Sequence, residues 1–151
     1  MAFGLDTYWT EDAADVAGSM VTAETLANAK RGSVSGRARA AYIIPYETDA
    51  AGVMALRLLQ QGFRVAVATK TMNAAGRNWN RGTFVVRITR NLDTTHDAVN
   101  KLANELGVRV VAANTGFADE GDTGVGGPSV YSLQAPKIEI GRASCRERCR
   151  L

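Results

Sequence analysis

The stretch 39–69, RAAYIIPYETDAAGVMALRLLQQGFRVAVAT, limits what this chain can fold into more than any other part of it. Its first apolar run, residues 40–44, is too short for a helix and carries the β-formers Tyr42, Ile43 and Ile44; Pro45, with no N–H to give a ladder, stops it. After a polar turn, Asp49 stands at a helix N-cap position, and Ala51, Met54, Ala55, Leu58 and Leu59 fall at the spacing of a helix with one apolar face. Gly62 follows, where a left-handed residue closes a helix most cheaply, and residues 63–69 alternate as a strand should. A strand-helix-strand unit of this spacing is expected to make a parallel strand pair.

A second unit echoes the first. Asp93, Thr94 and Asp97 form a capped start; Val99, Leu102, Ala103 and Leu106 give the apolar face; Gly107 ends the helix and residues 108–113 read as a strand. Between the units, residues 70–82 hold Asn73, Gly76, Asn80 and Gly82, which suggest a small hairpin leading into a strand at 83–89. The element order allows a mostly parallel doubly wound sheet or a split βαβ sheet whose middle strands run antiparallel; the connection lacks the helix a parallel crossover needs, so a mixed sheet is expected. The fold class is therefore α/β, a mixed sheet built from two βαβ units with an intervening hairpin, as a domain incomplete as it stands.

The expected divisions are 1–37, a poorly defined N-terminal segment; 38–139, the α/β domain; and 140–151, a tail of different composition. In the first, residues 10–16 and 22–30 could open short helices, residues 31–36 form a turn-rich link, and Tyr8 and Trp9 read as packing aromatics. The tail, IGRASCRERCRL, resembles the translation of a common sequencing adapter and is set outside the fold. It also decides the electrostatics. Arg142, Arg146, Arg148 and Arg150 against Glu147 give +3, the whole formal charge of the chain, so the body is neutral and offers no sign of a nucleic-acid partner. Both cysteines, Cys145 and Cys149, lie there too, leaving a body without any.

With 46% hydrophobic and 22% charged residues, the chain can bury a core, yet no apolar run reaches the roughly 20 residues of a membrane span. Residues 114–136 are glycine-rich and polar, with one β-like piece at 129–133. Loops of this length are usually functional, and loops at strand ends are where α/β sheets place ligands. Asn114, Asp119, Glu120, Asp122 and Gly124 are therefore the candidate ligand or interaction residues. The run 121–127, GDTGVGG, lacks the Lys-Ser/Thr of a phosphate loop, and the acidic trio misses the calcium-loop spacing. His96 is the only histidine; with no second histidine at metal spacing and no nucleophile in a recognisable setting, it is read as a surface residue. No catalytic, cofactor or metal residue is assigned.

Stretch 39–69, followed by RGTFVV, ELGVRVVAANTGFADEG and GGPSVYSLQAPKI, resembles a region of large bacterial zinc carboxypeptidase-like proteins, of the carboxypeptidase A type. The resemblance covers residues 1–139 and implies a fragment lying between a peptidase domain and a class I glutamine amidotransferase-like domain. It implies zinc for the parent protein, hydrolysis of C-terminal peptide bonds there, a secreted or periplasmic location, and the two missing domains as partners. The family's H-x-x-E is absent, since Val99 stands three positions after His96, so no functional residue transfers. A strand expected after Lys137 would, if missing, leave an apolar sheet edge and a tendency to self-associate.

Overall fold

The computed structural model describes residues 20–29, 31–119, 121 and 123–136. Contacts divide the chain into residues 1–30 and 31–151. In the first unit a helix, α1, runs Ala23–Ala29. Thr22 starts it: the Thr25 N–H donates to Thr22 Oγ1 (3.2 Å) and the Thr22 N–H to Thr25 Oγ1 (2.8 Å), so each side chain serves the other's backbone. The expected helix at 10–16, Tyr8, Trp9 and the tail lie outside the described residues.

The second unit is built from β1 (Ser33–Val34), β2 (Ala41–Ile44), α2 (Asp49–Gln60), β3 (Ala66–Ala68), β4 (Met72–Ala74), β5 (Arg77–Trp79), β6 (Phe84–Arg87), α3 (Thr95–Leu106), β7 (Arg109–Ala113) and β8 (Val130–Ser132). Six strands form one sheet in the order β1-β7-β2-β6-β3-β8, and β4 and β5 form a separate hairpin. The fold is α/β with a mixed sheet. Only β1 and β7 pair in parallel; every other neighbouring pair is antiparallel.

The expected parallel partners are corrected. β2 and β3 do run in the same direction, but β6 lies between them, paired antiparallel to both. Likewise β2 separates β6 from β7. Each crossover helix thus steps over one strand, and the central order β7-β2-β6-β3 is the split βαβ, or ferredoxin-like, arrangement. The helix-free connection between β3 and β6 makes this possible, because neighbouring antiparallel strands need no helical crossover. The link read at 31–36 is also corrected: Ser33 and Val34 add a strand to β7, with the Ser33 N–H on Val108 O (3.1 Å) and the Ser35 N–H on Val110 O (3.0 Å).

Both faces of the sheet are covered, which is why β2 reads as an unbroken apolar run. Tyr42 and Ile44 point into a cluster with Ala51, Met54, Ala55 and Leu58 of α2 and Val99, Leu102 and Ala103 of α3. Fully covered, Met54 and Leu58 each contribute about 1.5–3 kcal/mol. Ala41 and Ile43 point the other way, into a cluster with Met72, Ala74 and Trp79 of the hairpin, Val85 of β6, and Val125 and Val130. The helices occupy one face; the hairpin and the end of the glycine-rich segment occupy the other. Gly62 (φ 87°) and Gly107 (φ 70°) take the left-handed conformation their positions call for. Helix α2 begins one residue earlier than expected, with Thr48 as N-cap and Asp49 inside its first turn.

Candidate functional site

Loop 114–127 leaves the end of β7 and lies against the hairpin. The hairpin turns on Ala75 (φ 53°) and Gly76 (φ 74°), two residues with positive φ, as a tight turn between right-twisted strands requires. A left-handed alanine is unfavourable by about 1–2 kcal/mol. The turn is held from the loop: the Gly76 N–H donates to Asp119 Oδ2 at 2.7 Å. Nearby, the Asn73 N–H donates to Thr123 O at 2.9 Å. Trp79, buried beneath, donates its indole N–H to Ala74 O (2.8 Å), and the Arg77 guanidinium stacks 4.2 Å from its ring centroid.

The rest of the loop is braced from β6 and from within. Arg87 donates from Nε to Val125 O (2.9 Å) and from a terminal nitrogen to Val130 O (3.3 Å). The Gly126 N–H bonds Gly116 O (3.1 Å), and the Gly127 N–H bonds Gly124 O (2.9 Å). Gly124 is buried, and a Cβ there would lie 2.5 Å from Ala118 N, so only glycine allows the two arms of the loop to close. Above this brace, Phe117 stands 84% exposed beside a groove of about 470 Å³ that is otherwise lined by Ala118 and glycine backbone.

Of the residues named from sequence, Asn114 accepts the Arg39 N–H (3.3 Å) and Asp119 accepts Gly76. They share no partner. Gly124 closes the loop; Glu120 and Asp122 lie outside the described residues. Among the described residues the groove's lining carries no ionisable side chain. Gly126 and Gly127, whose amides serve carbonyls of their own loop, do not cradle an anion. Such a surface can seat an apolar group and offer it a few backbone hydrogen bonds.

His96 corrects the surface reading. It is 6% exposed, in the first turn of α3, and its Nδ1 lies 2.9 Å from the Tyr42 hydroxyl, the rings edge to face at 5.7 Å. The Ala38 N–H also reaches that hydroxyl, at 3.4 Å. The hydroxyl thus bonds both a backbone amide and the imidazole, which ties the start of α3 to β2. Among the described residues no three His, Cys, Asp or Glu side chains come together. With His96 held at Nδ1 by Tyr42 inside apolar packing, the described residues do not assemble a zinc site. No described helix is long and apolar enough to cross a membrane.

Arg87, Asn91 and the Tyr42–His96 pair were not singled out from sequence. A tyrosine inside an apolar strand needs a buried partner for its hydroxyl, which is the signal that could have led to the pair. Comparison of the chain with protein-family models, characterised proteins and solved structures gives no match.

Proposed function

We propose that residues 31–136 are a non-catalytic α/β binding module that docks through loop 114–127 onto another domain of its own polypeptide, in a protein resembling a zinc metallocarboxypeptidase. The observation that supports the reading is Phe117, an aromatic side chain 84% exposed on a loop tied down by Asn114, Asp119, Thr123 and Arg87. Exposed aromatics on rigid supports are the commonest anchors of protein contacts, because little further ordering is needed when they bind.

The test is a photo-crosslinking residue in place of Phe117, introduced into the longer polypeptide that the uninterrupted gene encodes. Crosslinks from position 117 to the preceding or following domain are expected, and they should vanish when Gly124→Ala opens the loop. Crosslinks confined to residues 31–136 would overturn the reading. So would stoichiometric zinc binding or release of C-terminal residues from peptides by the purified chain.

A further inference from the structure

A second feature lies away from the loop and rests on other observations. β3 and β6 pair antiparallel from Ala66 opposite Val85, and just beyond that ladder Arg64 and Arg87 line one small cavity. Like charges held close together repel. Arg90, in the 3-10 turn Ile88–Arg90 after β6, joins them: all three arginines line one small cavity with Ser132 of β8. Arg64 and Arg90 also line the adjoining groove, of about 360 Å³, with Asn91 and Thr94.

None of the three arginines has a carboxylate partner among the described residues; the ion pairs there are Arg57 with Glu105 and Arg109 with Glu47. Arg87 spends two N–H groups on the carbonyls of Val125 and Val130, which leaves the others of its five without a partner among the described residues. Burial, and after it the charge of Arg90, holds its pKa below the usual arginine value. The backbone under the cluster is fixed by one side chain. Asn91 accepts the Arg64 N–H (2.7 Å) and donates to Arg64 O (3.1 Å) and to Arg87 O (2.8 Å), so a single amide fastens the strand ends that carry both arginines.

We propose that Arg64, Arg87 and Arg90 form a binding site for a dianionic oxyanion of the phosphate type, entered through the groove beside Asn91 and Thr94. Arg64 and Arg90 at the groove, with Arg87 in the cavity behind them, supply three positive charges that match a doubly charged tetrahedral oxyanion better than a single carboxylate. Their planar donors suit its oxygens, and the ligand offsets their mutual repulsion. The cavity between the arginines measures about 10 Å³, room for a water, so the ligand sits in the groove and Arg87 acts from behind it. The groove can admit free phosphate or the phosphoryl group of an ester.

The experiment is calorimetric titration of the full chain with inorganic phosphate and with glycerol phosphate, ionic strength held constant with chloride, alongside thermal unfolding. Saturable binding is expected, weakened about tenfold or more in each of Arg64→Gln and Arg90→Gln, both exposed positions where folding is not at risk. Tighter binding of the ester identifies an esterified ligand; tighter binding of the free ion identifies phosphate itself. Without either anion, Arg90→Gln should unfold at the same temperature as the parent chain or higher, because it relieves repulsion. Absence of saturable binding by both probes, or binding undiminished in the Arg64→Gln/Arg90→Gln double variant, overturns the proposal.

Discussion

Replacing Tyr42 with phenylalanine removes one oxygen atom from the middle of the sheet and leaves the apolar packing in place. The ring is fully buried and its hydroxyl serves two groups, His96 Nδ1 at 2.9 Å and the Ala38 N–H at 3.4 Å. Both residues are buried, so neither group finds water as a substitute. An unpaired buried polar group costs about 1–3 kcal/mol. The amide contact is long and falls at the low end, which puts Tyr42→Phe at about 2–4 kcal/mol in total. Against a typical domain stability of about 5–15 kcal/mol that is a large share, and at about 4 °C per kcal/mol the midpoint should fall by about 8–16 °C. Urea unfolding followed by circular dichroism reads the change directly. A cycle with His96→Leu sharpens it: with both partners apolar, the double variant should be less destabilised than the sum of the singles by about 1 kcal/mol or more. If Tyr42→Phe stays within about 0.5 kcal/mol of the parent, the hydroxyl does not hold α3 to the sheet as argued.

Two further outcomes concern the loop. Gly124→Ala puts a Cβ 2.5 Å from Ala118 N, so limited proteolysis should cut within residues 114–127 of the variant while the sheet stays protected. Asp119→Ala removes the acceptor for the Gly76 N–H; because both residues are exposed, stability should drop by only about 0.5–1.5 kcal/mol, with faster amide exchange at Gly76 as the local sign.

The elements that sequence reveals well are those whose signals are local. The apolar stripe of α2, the glycine ends of both long helices, the hairpin at 72–79 and the short strand near 130 all follow from periodicity and turn chemistry within a dozen residues. What escaped is set by partners far along the chain. The helix-free connection at 70–82 pointed to a mixed sheet and admitted the split layout, but the insertion of β6 between β2 and β3 leaves no mark in either strand's own sequence, since β2 would read as the same apolar run in a parallel sheet. Ser33 and Val34 look like a link because three residues between glycines carry no period; β7 makes them a strand. His96 in the first turn of a polar helix start looks exposed until Tyr42, in another element, is brought beneath it. For the loop, residue types gave the place, and they gave Asp119 and Gly124 among its members. Their roles, one closing a hairpin turn and the other a backbone crossing, depend on contacts with residues 76 and 118 that no local pattern encodes.

The braced loop and the clustered arginines both require that β6 lie between β2 and β3, and Val85 reports on that alone. Its register places it opposite Ile43 on one side and Ala66 on the other. Nuclear Overhauser contacts from the Val85 backbone to both Ile43 and Ala66 are the expected result; direct backbone contacts between residues 41–44 and 66–68 would contradict it.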